Sequence, residues 1–108
     1  MRVEVGGKRW TMVFTEAPSH EDDEWIGYCD WPGTANKRIY IDRSVSSDSK
    51  KLMDTVLHEI LHAGVWTLDE EYVGDYATAA TEALHRLGYR LIRQPELPFE
   101  PFKEAGSQ

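Results

Sequence analysis

Two histidines four residues apart, His58 and His62, with Glu59 beside the first, are the residues of this chain best equipped for chemistry. Side chains at i and i+4 share one helix face, with Cβ atoms about 5–6 Å apart. Two imidazoles so placed can converge on one divalent cation, and nitrogen donors at about 2.0–2.1 Å suit zinc. Helical geometry puts Glu59 roughly 100° round from His58 and roughly 60° from His62. It flanks the ion without being forced to ligate it, and from there it can take a proton from metal-bound water. Glu59 is the sole formally charged residue between Thr55 and Leu68. A buried edge of two histidines and a glutamate is costly unless its polar groups find partners, and a metal would supply one.

The segment His58-Glu59-Ile60-Leu61-His62 is an HExxH sequence and resembles the signature of zinc metallopeptidases. A metzincin would carry a further histidine at position 68, which is Leu. The following stretch, Asp69-Glu70-Glu71-Tyr72-Val73-Gly74-Asp75, resembles the gluzincins, the thermolysin-like group. That resemblance implies a third ligand from a glutamate on the next helix and an aspartate four residues later that steadies a ligand histidine. Glu71 and Asp75 have this spacing, with Glu70, Asp75 and Asp69 as alternative ligands or supports. The same acidic cluster would also suit a helix N-terminus on dipole grounds alone. The eight residues between His62 and Glu71 make a shorter linker than thermolysin's. The small size and strands-then-helices order also resemble minimal gluzincins and the short HExxH proteins of bacteriophage genomes.

The resemblance implies a Zn2+-dependent metallopeptidase acting on a peptide or protein substrate. His58, His62 and Glu71 would hold the zinc, and Glu59 would be the general base toward a zinc-activated water. The alternative expectation is a non-catalytic zinc-binding domain, an interaction or phage accessory module with a relict HExxH site.

The elements that must position these residues are legible in outline. Arg2–Val5 and Lys8–Thr15 flank Gly6-Gly7, a hairpin signal. Trp10, Met12 and Phe14 alternate with Arg9, Thr11 and Val13, which puts the large apolar groups on one face. Trp25–Cys29 and Arg38–Asp42 read as a third and fourth strand, either of which could offer an open edge to an extended peptide. Ser46 to Ser49 offer N-caps for a helix with Met53, Val56, Leu57, Ile60 and Leu61 at helical spacing, stopping at Gly64. Thr67 and Glu70 resemble a capping box for a second helix, with an apolar stripe of Val73, Tyr76, Ala77, Ala80, Leu84 and Leu87 ending at Gly88. Tyr89–Ile92 is expected to run along the sheet.

The expected fold class is therefore α+β. An N-terminal antiparallel or mixed sheet of three or four strands would pack on the HExxH helix and a second, C-terminal helix. Residues 1–93 would form this zincin-like domain, and 94–108 an extended tail interrupted by Pro95, Pro98 and Pro101.

Twelve Lys and Arg against nineteen Asp and Glu give a net charge of -7, which argues against nucleic acid as partner. No stretch approaches the roughly 20 apolar residues needed to span a bilayer, so no membrane partner is expected. One cysteine, Cys29, and no signal-like N-terminus suggest the cytoplasm, or a host's cytoplasm if phage-encoded. A monomer or small oligomer is expected. Of the remaining residues, His85 reads as a surface histidine or an oxyanion donor, and His20 as exposed. Tyr72, Tyr76 and Tyr89 read as core residues or hydrogen-bond donors. Cys29 reads as a small buried side chain, and the tail as packed, disordered or laid across the cleft.

Overall fold

The computed structural model describes residues 1–18 and 25–104. His20, read from the sequence as exposed, lies outside them. The architecture is α+β: a four-stranded mixed sheet followed by two helices. The strands are β1 (Arg2–Val5), β2 (Lys8–Thr15), β3 (Gly27–Cys29) and β4 (Arg38–Asp42), in the spatial order β1-β2-β4-β3. Gly6 and Gly7 turn β1 into β2 with φ of 60° and 76°, the left-handed pair that a tight two-residue hairpin requires. β2 runs parallel to β4, and β3 pairs antiparallel with β4.

The period of two divides the sheet as its residues dictate. Trp10, Met12 and Phe14 of β2 share one face with Ile39 and Ile41 of β4 and Cys29 of β3, and all are buried. Helix α1 (Ser49–Gly64) covers that face, contributing Leu52, Val56, Ile60 and Ala63 to the core. The Asp48 side chain caps α1 by accepting from the Lys51 N–H at 3.0 Å. Helix α2 (Glu70–Arg86) packs on α1 through Val73, Ala77 and Thr81, and Thr78 donates to Asp54 of α1 at 3.1 Å.

α2 begins differently from the expected capping box. Asp69 is the N-cap, so Glu70 is the first helical residue and does not reach back to Thr67. The helix ends as expected. Gly88 takes φ of 97°, its N–H donates to the His85 carbonyl at 3.1 Å, and the Tyr89 N–H donates to the Leu84 carbonyl at 3.1 Å. Those two bonds form a Schellman cap. The apolar stripe of α2 is narrower than expected, because Tyr76, Ala80 and Leu87 are exposed. Tyr89–Ile92 forms no strand.

The proline-rich tail is extended, and it is docked. The Phe14 N–H donates to the Pro98 carbonyl at 2.9 Å and the Glu100 N–H to the Phe14 carbonyl at 3.0 Å, so the tail continues the sheet beside β2. Beyond it, Glu100 pairs with Arg38, and Phe102 packs on Trp25, Tyr28 and Tyr40 with ring centroids 4.9–5.1 Å apart. Glu100 and Phe102 therefore cover the sheet face opposite α1, while Leu97 packs against the core. Among the described residues, no helix is long and apolar enough to cross a membrane.

Candidate metal centre

His58 and His62 lie one helical turn apart on α1, and their rings meet edge to face with centroids 4.9 Å apart. Glu70 closes the group. Its Oε1 is 2.6 Å from His58 Nε2 and its Oε2 is 2.7 Å from His62 Nε2. One ligand atom from each of the three residues can be chosen so that all lie within 4.8 Å of one another. Two imidazole nitrogens and one carboxylate are a donor set that catalytic zinc sites use, with bonds of about 2.0–2.2 Å. The donors suit a small divalent cation in type, and they lie close enough together to hold one if the Glu70 carboxylate gives up its direct hydrogen bond to His58.

The sequence offered Glu71 first and Glu70 second, and the structure brings Glu70 to the histidines. The reason is the phase of α2. Val73, Ala77 and Thr81 turn inward onto α1, and Glu70, one turn before Val73, shares that direction. Glu71 is rotated by roughly a further 100°. Glu71 and Asp75 do share a helix face, as their spacing demands, but it is the exposed face turned away from α1. Neither belongs to the group around the histidines.

Glu59 is 6% exposed, and its carboxyl is pushed up to about 8 by burial and, secondarily, by the negative charge of Glu70. A cation between the histidines would pull it back down, since a nearby positive charge favours the carboxylate. His62 is shifted down, chiefly because burial disfavours the imidazolium, with Glu70 opposing. A neutral imidazole is the form that ligates a metal.

These residues line a cleft of about 710 Å³ between α1, β3 and the start of α2. Trp25, Ile26 and Trp66 supply apolar walls, and the Trp66 ring stands 6.5 Å from that of His62. Two residues here escaped the sequence reading. Gly27 faces Glu59 so closely that a Cβ there would lie 2.6 Å from Glu59 Oε2. Its signal was present, since glycine within a strand often marks a close approach. Trp66 lies in the short linker between His62 and Glu71, where no motif or periodicity marks it.

Of the two strands considered as open edges, β4 lies between β2 and β3, so Arg38–Asp42 has no free edge. β3 is the outer strand on the cleft side. The Asp42 N–H donates to the Ile26 carbonyl at 2.8 Å and the Asp30 N–H to the Arg38 carbonyl at 3.1 Å. By antiparallel alternation the backbone groups of Gly27 and Cys29 face outward. The Cys29 thiol is buried, raised well above its ordinary pKa by desolvation, and donates to the Asp30 carbonyl. A neutral thiol of this kind is a poor metal ligand. His85, Tyr72, Tyr76 and Tyr89 do not line the cleft, and the three tyrosines are exposed.

No family model, curated protein or solved structure matches the chain.

Proposed function

We propose that this chain is a small zincin-like, zinc-dependent metallopeptidase. His58, His62 and Glu70 hold the metal and Glu59 is the proton-transfer group. The observation that carries the reading is the convergence of both Nε2 atoms and the Glu70 carboxylate beside a buried Glu59, in a cleft bounded by the outer strand β3.

When bound, zinc supplies a Lewis acid that polarises a carbonyl and makes water a nucleophile near neutral pH. The chain's own residues do the rest. The outward backbone groups of Gly27 and Cys29 align an extended peptide by strand addition. The apolar walls exclude water around the reacting carbonyl. Glu59, held against Gly27, accepts a proton from the attacking water and returns it to the leaving amine. Burial raises its pKa and a cation held by the histidines would lower it, so the carboxylate form that accepts this proton depends on the metal.

The test is metal analysis of the purified chain followed by cleavage of unfolded protein substrates, with and without a chelator. One zinc per chain with chelator-sensitive cleavage supports the proposal. Zinc without cleavage leaves the non-catalytic zinc-binding domain. Absence of any bound divalent metal sinks both.

A further inference from the structure

Among the described residues, the outward face of α2 has no partner. Tyr72, Tyr76 and Leu87 are 50%, 57% and 75% exposed, and Ala79, Ala80 and Ala83 between them are exposed as well. At helical spacing, Tyr72, Tyr76, Ala79, Ala83 and Leu87 form one continuous stripe, roughly 120° round the helix from the buried Val73, Ala77 and Thr81. The two tyrosine rings already stack on each other, with centroids 6.4 Å apart. An apolar stripe of this length is unusual on a helix whose other faces are packed or charged.

We propose that this face pairs with the same face of a second copy of the chain, the two α2 helices running antiparallel about a two-fold axis between Ala79 and Ala80. The charge distribution selects both the partner and the direction. Beside the stripe, Asp75 and, further round, Glu71 lie toward the N-terminal end of α2, while Arg86, which also pairs with Glu82 of its own helix at 3.0 Å, lies in the last turn; Glu70 faces the cleft. Parallel copies would set like charges side by side. Antiparallel copies set the acidic end of each against the basic end of the other, and they favour the dipoles.

The register then follows from side-chain size. An axis between Ala79 and Ala80 places Tyr72 opposite Leu87 of the second copy and Tyr76 opposite its Ala83, so each large ring meets a smaller side chain. Arg86 of one copy falls within about 3 Å, two helical rises, of the levels of both Glu71 and Asp75 of the other. The alanines let the backbones approach closely. One patch that complements itself in shape and in charge has the form of an isologous interface. Because Glu70, the cleft residue of α2, lies roughly 140° round the helix from the stripe, both clefts stay open in the pair.

The experiment is sedimentation equilibrium on the full chain across the micromolar range. The expected result is a reversible dimer. Ala83→Glu, on an exposed position, should weaken it at least about tenfold while circular dichroism stays unchanged. Arg86→Glu should also weaken it, and adding Glu71→Arg and Asp75→Arg to the same chain should restore it. Ala79→Cys, close to the axis, should give a disulfide-linked dimer on mild oxidation, whereas Lys8→Cys should not. A chain that stays monomeric throughout overturns the proposal. So does a dimer that survives Ala83→Glu and leaves Ala79→Cys unlinked, since its interface would lie elsewhere.

Discussion

Gly27 and Glu59 are in contact across the α1–β3 boundary, and the contact has room for nothing larger than glycine. A Cβ at position 27 would sit 2.6 Å from Glu59 Oε2 and 2.9 Å from both Glu59 Cγ and Thr55 Cγ2. The Glu59 carboxylate is thereby held against β3. Gly27→Ala should displace the Glu59 carboxylate while leaving the two histidines and Glu70 in place. The expected outcome is full zinc binding, a stability loss of about 1–3 kcal/mol from overpacking, and a fall in kcat of at least about tenfold from misplacement of the base. Wild-type turnover in that variant would show that the contact does not position the base.

Glu59 itself should separate chemistry from metal binding. Glu59→Gln keeps the shape and removes the proton acceptor. Peptide hydrolysis should drop by about 10²–10⁴-fold, with zinc content unchanged by metal analysis. Equal loss of zinc and activity would instead make Glu59 a support for the metal group.

Glu70 and Glu71 are neighbours in sequence and face different ways, so they offer a sharp comparison. Glu70→Gln should weaken zinc binding by at least about tenfold, in the range expected for loss of a coordinating or supporting group. Glu71→Gln should bind zinc like the parent chain. Competition against a chromogenic chelator measures both. The reverse ranking would return the ligand role to Glu71 and require α2 to turn on its axis.

That pair also marks how far the sequence could be read. The histidines and Glu59 were legible because an i, i+4 pair on a helix needs only local geometry. The strands and both helix stops were legible because Gly6-Gly7, Gly64 and Gly88 stand where the chain turns or ends. Choosing between Glu70 and Glu71 needed the phase of α2 against α1. Val73 and Ala77 set that phase, but Tyr76 and Ala80 read equally well as apolar and blurred it. The sheet order was not legible, since the parallel β2–β4 pairing places β3 at the edge through contacts remote in sequence. The docked tail was hidden for a similar reason. Its prolines forbid helix, and nothing local announces that Phe14 offers free backbone groups at the margin of β2.

Asp30 should leave a mark on the pH dependence of stability. It is 4% exposed, Oδ2 accepts from the Arg38 N–H at 2.8 Å, and Oδ1 has no partner among the described residues. Burial raises its pKa above the ordinary 3.8, outweighing the Arg38 N–H and the Arg38 charge. A carboxyl raised on folding binds its proton more tightly in the native state than in the unfolded one. Its contribution is therefore most favourable below the unfolded pKa and declines as pH rises from there through the folded value. Asp30→Asn should lack that decline. In urea titrations at acid and neutral pH, the stability of the variant relative to the parent should rise with pH. A difference independent of pH would mean that Asp30 is solvated.

Phe102 links the tail to the cleft, since it touches Trp25 and Tyr28, and both of these line the cleft. Burying a phenylalanine completely contributes about 1.5–3 kcal/mol, so removing the partly buried Phe102 ring should cost roughly 1–2 kcal/mol. The functional effect should fall on binding. With Phe102→Ala, Trp25 loses the ring that braces it at 4.9 Å, while His58, Glu59, His62 and Glu70 lose no contact. KM should therefore rise several-fold with kcat and zinc content close to those of the parent. A fall in kcat at constant KM would place the influence of the tail on Glu59 instead, through the Tyr28 neighbour Gly27.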